Sequence, residues 1–222
     1  CLTFLDNTFM TPALQRPLEL GVDVVLHSAT KFLSGHSDVL SGLAVVKDKK
    51  LGEELYKLQN SFGAVLGVQD CWLVLRGLKT LQVRLEKASR TAQQLAEFFE
   101  KHPAVKQVYY PGLSSHPGAS IHKHQANGAG AVLSFELEDA EAVKQVVENV
   151  SLPVFAVSLG AVESILSYPA KMSHAAMPKE ERTKRGITDG LLRLSVGVEN
   201  ADDLQADFAQ ALEAVSGALA RS

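Results

Sequence analysis

Apolar residues recur along this chain in two rhythms, and the change between them divides it. In the first fifty residues they come as short continuous runs at 2–5, 22–27 and 42–47. Runs of aliphatic and β-branched residues without polar alternation read as strands buried on both faces. Between the first two runs, Thr11 with Pro12 marks the start of a short helix that Gly21 ends and Pro17 kinks or splits. Strand, helix and strand at this spacing predict a parallel sheet.

From Cys71 the rhythm lengthens. Cys71, Val74, Leu78, Leu81, Leu85, Ala88, Ala92, Leu95 and Phe99 recur in steps of three and four. That is one stripe along a single long helix, ending near His102 and Pro103, and it reads as a packing spine rather than a coiled coil. Beyond Pro103, strands and helices alternate on a shorter pitch. Strands are predicted at 104–110, 131–137, 155–159 and 191–198. Helices are predicted near 120–125, 140–150, 179–184 and 201–215, the last capped by Asn200. The pattern makes an α/β protein of two units, with the boundary inside or near the long helix.

Composition narrows the class. A length of 222 residues fits one large domain or two small ones, and 46% hydrophobic residues suffice for a sizeable core. The net charge of −3, with both signs interspersed, points away from nucleic acid and anionic membranes. No apolar run approaches the roughly 18 residues of a membrane helix. Cys1 and Cys71 cannot build a disulfide framework, which suits a reducing, cytoplasmic setting. The chain opens on "CLTFLDNTF", without an initiator Met and within a strand-like run, so it reads as a piece of a longer protein.

The stretch "VVLHSATKFLSG", residues 24–35, holds the first candidate chemistry. Its strand ends in His27, Ser28, Ala29, Thr30 and Lys31, and the carboxyl ends of strands are where open α/β sheets bind ligands. A lysine there can lose its proton to desolvation and act as a nucleophilic amine toward a carbonyl cofactor. The plainer alternative is a lysine reaching solvent. The hydroxyls of Ser28 and Thr30, alternating about Ala29, could share a face and bind an anion. Asp6 would stand at the same sheet edge if its strand runs parallel. A pyridoxal phosphate site needs that set: a lysine for the aldehyde, an acid for the pyridine nitrogen and hydroxyls for the phosphate. Asp6 reads equally as a turn residue in "DNT".

Arg193 interrupts the apolar strand "LLRLSVGVE". A guanidinium in that setting either pairs with an internal acid or faces a cavity and grips a carboxylate. Ser158, before Gly160 in "FAVSLG", could help hold that carboxylate or could cap a helix. His116, His122 and His124 lack the support a metal site needs and read as helix-surface histidines. His36 and Asp38 in "GHSD" read as a local structural pair. There is no G-x-G-x-x-G, P-loop or nucleophile-elbow motif.

"DNTFMTPALQRPLELGVDVVLHSATKFLSGHSDVLSG" resembles the cofactor-binding segment of the cysteine and methionine metabolism family of pyridoxal-phosphate enzymes, the group of cystathionine β-lyase, γ-lyase and γ-synthase. "LRGLKTLQVR", "YPGLSSHPG", "SLGAVESILSYPAKMSHA" and "LLRLSVGVEN" are similar to further family segments in the family's order. The resemblance implies a type I aminotransferase-like fold. Residues 1–80 would be the C-terminal part of the large cofactor domain, and 81–222 the linking helix and small C-terminal α/β domain. It implies Lys31 as the catalytic and cofactor-linked lysine, Asp6 at the pyridine nitrogen, and Ser28 and Thr30 at the phosphate. Arg193 would hold the substrate α-carboxylate, helped by Ser158.

The activity implied is cleavage of cystathionine by β-elimination to homocysteine, pyruvate and ammonia. γ-Elimination or γ-replacement is the alternative, and Glu163 in "GAVES" resembles the γ-acting members. Family members form homotetramers and carry a long N-terminal portion before "DNTF" with further cofactor contacts. A reading of another class is therefore a non-catalytic fragment lacking the N-terminal half of the cofactor site.

Overall fold

The computed structural model describes residues 1–219, and two sheets organise it. In the first, β1 (Phe4–Asp6) lies parallel to β2 (Val24–Ser28), with Asp6 opposite Leu26. The connection is the split helix expected around Pro17: α1 (Thr11–Leu14), then a 3₁₀ turn at Pro17–Leu20 closed by Gly21 at φ 92°. The parallel pair of β1 and β2 is the one the strand–helix–strand spacing predicts, and β3 (Gly42–Val46) departs from it by pairing antiparallel to β2 with Gly42 opposite Ser28. A parallel return needs a crossover, usually a helix. Here the link instead folds into tight turns: Lys31 N–H donates to Ser28 O, Ser34 N–H to Ala29 O, and Gly35 N–H to Lys31 O.

α2 (Lys49–Phe62) was not among the predicted helices. Asp48 caps it by accepting from Leu51 N–H at 2.7 Å, Gly63 closes it at φ 70°, and none of its residues is buried. The stripe from Cys71 to Phe99, read as one helix, is two: α3 (Val68–Leu78) and α4 (Leu81–Lys101). The break has a local cause. An unbroken helix would give the Gly77 carbonyl to Leu81 N–H. That carbonyl instead accepts from Thr80 N–H at 3.2 Å, Thr80 Oγ at 3.2 Å and Arg84 Nη2 at 3.0 Å. Gly77 also rests on Ser34, where any Cβ would collide with the Ser34 carbonyl.

The second sheet contains β4 (Gln107–Tyr109), β5 (Val132–Glu136), β6 (Val154–Phe155), β7 (Ile165–Ser167) and β8 (Leu191–Ser195), in the order β4-β5-β8-β7-β6. Only β6 and β7 are parallel neighbours. Helices α5 (Ala119–Gln125), α6 (Ala140–Asn149), α7 (Lys179–Lys184) and α8 (Ala201–Leu219) fall where the sequence placed them, and Asn200 Oδ1 caps α8 through Asp202 N–H at 2.8 Å. α4 and α8 close the core, where Phe99 stacks on Phe135 at 4.4 Å and meets Phe208 edge-on at 5.1 Å.

β7 was not predicted, and the strand expected at 155–159 shrinks to two residues. The chain leaves the sheet there because Ser158 adopts φ 85° and Gly160 φ 79°, with Gly160 so close to Phe32 that a Cβ would collide with its backbone nitrogen. β8 stops at Ser195, short of the expected 198, since Gly197 abuts Val162. β4 likewise covers only the middle of 104–110. Among the described residues no helix is long and apolar enough to cross a membrane.

Candidate active site

The turn that ends β2 carries Lys31 toward the second sheet. Its Nζ donates to Ser158 Oγ at 2.7 Å, joining residues 127 positions apart. Partial burial, and then the nearby Arg193 charge, push the Lys31 amine below the ordinary lysine value. Ser158 sits where the chain has left the sheet, its left-handed backbone aiming the hydroxyl at Lys31. It caps no helix.

Arg193 comes from β8, facing Ser167 on β7 and Ser134 on β5 across the ladders. Of the two options left by the sequence, pairing with an internal acid is not what occurs. Nη2 donates to Ser158 O at 2.7 Å and to Ser167 Oγ at 3.2 Å, while Nε is buried without a partner. Burial lowers the guanidinium's pKa from its usual value, and a buried cation with a free N–H is the setting for an incoming carboxylate.

Beyond a last backbone bond from Ala156 N–H to Leu166 O at 3.1 Å, segment 156–160 is held by side chains in place of a strand ladder. Ser167 Oγ donates to Ala156 O at 2.7 Å, Arg193 holds Ser158 O, and Gly160 N–H donates to Ser195 Oγ at 2.8 Å. Ser167 and Ser195 were missed by sequence reasoning. Ser195 had a signal: it lies two residues from Arg193, so in a strand it shares that face. Ser167 had none, since a three-residue strand before Tyr168–Pro169 leaves no period to read.

The remaining candidates are more dispersed. Thr30 lies beyond the end of β2, so strand alternation does not put it on one face with Ser28. Its Oγ accepts from Ser41 N–H at 2.9 Å, and it borders a hollow of about 670 Å³ with Ser158, Asp38, Asp70 and Glu163. Ser28 ends β2, takes part through its N–H in a 2.7 Å bond to Thr8 Oγ1, and lines a different hollow of about 650 Å³ beside Gly42 and Tyr56. Asp6 ends β1 at the same carboxyl edge of the sheet and is exposed, its Oδ1 accepting from Thr8 N–H at 2.9 Å. It makes no hydrogen bond or ion pair with Lys31 or Arg193. Its charge is felt at His27, whose buried ring is pushed below the usual histidine value by desolvation and partly restored by Asp6. His36 does not pair with Asp38; its Nδ1 is 2.6 Å from Ser34 O.

Residues 1–213 match the family model described as Cys/Met metabolism PLP-dependent enzyme. The chain is 85% identical over 216 residues to cystathionine beta-lyase MetC of Bacillus subtilis (strain 168), covering 97% of this chain and 55% of that protein. It is 54% identical to the cystathionine gamma-lyase of the same organism, covering 96% of this chain and 56% of the relative. Among solved structures it is similar to the cystathionine gamma synthase of Xanthomonas oryzae pv. oryzae in complex with cystathionine. That likeness has a TM-score of 0.95 and 46% identity, covering 98% of this chain and 56% of the other. The chain thus spans about half the length of the curated relatives it matches.

Proposed function

We infer, since the chain belongs to the family of Cys/Met metabolism PLP-dependent enzymes, that the protein is a carbon–sulfur lyase of sulfur amino acid metabolism. Its reaction is β-elimination of cystathionine to homocysteine, pyruvate and ammonia. The observation that carries this reading is the 85% identity to a cystathionine β-lyase along nearly the whole chain. Glu163, which borders the hollow beside Ser158 and Thr30, favours γ-elimination or γ-replacement as the second reading. A non-catalytic fragment is the less favoured one, because a remnant has no use for a lysine, a serine and an arginine kept in contact across two sheets.

The groups present fit pyridoxal phosphate and an amino acid: an amine with a lowered pKa, hydroxyls and a carboxylate at one sheet edge, and a guanidinium with a free buried N–H. When bound, the cofactor supplies the electron sink that no protein side chain provides. Lys31 would hold its aldehyde carbon, Asp6 its ring nitrogen, and Ser28 and Thr30 its phosphate.

Once the substrate amine has taken its place at the aldehyde carbon, Lys31 Nζ would be a free amine able to take the proton from the substrate Cα. Its lowered pKa keeps more of the amine unprotonated, and Ser158 Oγ fixes its direction. Arg193 binds the α-carboxylate and so sets the Cα–H bond before that amine. The sulfur would then leave Cβ with the C–S electron pair and take the proton that Lys31 carries, becoming the thiol of homocysteine, and water would release pyruvate and ammonia. Residues 1–80 belong in this reading to the cofactor domain and 81–222 to the linking helix and small domain, within a cytoplasmic homotetramer.

The test is an absorbance spectrum of the protein with added pyridoxal phosphate, followed by borohydride reduction and peptide mass mapping. The expected result is a visible band that reduction bleaches, leaving the cofactor fixed on Lys31, with pyruvate formed from cystathionine by the unreduced protein. Label scattered over surface lysines would overturn the assignment. Turnover of an activated homoserine ester with cysteine, in place of pyruvate release, would select the γ-replacement reading.

A further inference from the structure

We propose that Ser167 is a positioning residue that aims Arg193 at the substrate carboxylate. Ser167 is 3% exposed and stands directly opposite Arg193 across the β7–β8 ladder. Its Oγ lies 2.7 Å from the Ala156 carbonyl, which can only accept, so the hydroxyl's single hydrogen is committed there. What it turns toward Arg193 Nη2, 3.2 Å away, is therefore a lone pair. The other Nη2 hydrogen goes to Ser158 O at 2.7 Å.

Two acceptors on one nitrogen fix the rotation of the guanidinium plane. They leave Nε, buried and unpartnered, free for an incoming anion. Neither acceptor is a carboxylate, so the cation is held without being neutralised, which an acid at position 167 would not achieve. The same hydroxyl anchors Ala156 and with it the segment whose next turn presents Ser158 to Lys31. One side chain thus sets both the guanidinium and the loop that it touches.

The inference rests on the assignment of Arg193 to the α-carboxylate, and glycine against methylamine isolates that group, since the two differ only by a carboxylate. In the holoenzyme, titration followed by cofactor absorbance should show Ser167→Ala binding glycine about tenfold more weakly. Methylamine should bind as in the parent, and KM for cystathionine should rise more than kcat falls. Should the alanine variant not fold, Ser167→Cys keeps the volume without a strong acceptor and should show the same selective loss. Unchanged glycine affinity, or equal losses on both ligands, would overturn the proposal. Arg193→Lys separates the two readings. If it alone weakens glycine, Ser167 is not the positioning residue; if it too leaves glycine unaffected, the Arg193 assignment fails first.

Discussion

The two sheets differ in how they treat their apolar surface. Around β4–β8, Leu133, Phe135, Leu192 and Leu194 are fully enclosed, and α4, α6 and α8 complete one continuous core. Around β1–β3, Leu26, Leu43 and Val45 remain accessible, Phe4 is 61% exposed, and α2 buries nothing although Phe62 stands 83% exposed. One unit makes its own interior. The other borrows its interior, packing Ala29, Phe32 and Leu33 against Leu81, Leu85 and Ala88 of α4, adds turns, caps and the Arg84 clamp on Gly77 and Leu33 carbonyls, and leaves apolar faces uncovered. The candidate chemistry lies on the seam: the amine comes from the looser unit, and Arg193 and Ser158 from the self-enclosed one.

The strongest way to sharpen this contrast is to remove the amine that the looser unit sends across to Ser158. Lys31→Ala should reduce cystathionine turnover by about 10³-fold or more while the melting curve stays in place. Persisting turnover would put the chemistry elsewhere. Next in size, Phe99→Ala should cost about 3–5 kcal/mol in urea unfolding, because it removes the ring on which Phe135 and Phe208 pack. A loss under about 1 kcal/mol would deny the second unit its central core.

A smaller effect should appear with pH. Burial keeps the His27 pKa below 6.5, so as pH falls through that value the unfolded chain takes up a proton that the folded one refuses. Stability is therefore lost on acidification, and none of this loss exists above that value. His27→Gln should flatten the melting-temperature profile between about pH 7 and 5. Parallel profiles for the two proteins would show that His27 is not held neutral. Smallest of all, Phe62→Ala should change unfolding free energy by less than about 0.5 kcal/mol. A core-sized loss would erase the contrast by showing that face to be covered in solution.

Sequence periodicity read the self-enclosed unit better, and the reason is physical: a stripe is visible where burial selects it. Leu204, Phe208, Ala211 and Leu212 announced α8, and Leu192 with Leu194 announced β8. α2 did carry a signal, Leu51, Leu55, Leu58 and Phe62 between the Asp48 cap and Gly63, but it lies among charges and had no core to answer. The α3–α4 break was illegible because Lys79 and Thr80 are only a short lapse in a stripe that resumes in phase. It is carbonyl capping by Arg84 and Thr80, invisible in a pattern of apolar positions, that ends the first helix. At the site, Lys31, Ser158 and Arg193 could be named from residue type and place. Their meeting depends on a backbone departure at Ser158 that no propensity encodes, and Ser167 became visible only through it.

That departure sets heat tolerance against activity. At φ 85°, Ser158 occupies a region costing of order 1 kcal/mol or more for any residue with a Cβ, and glycine would occupy it freely. Ser158→Gly should therefore raise the melting temperature while leaving Lys31 without its hydroxyl partner. A directed-evolution campaign scored on thermal survival alone would enrich that glycine and return sturdier, slower protein. Scoring pyruvate release beside survival would expose the trade at its first round.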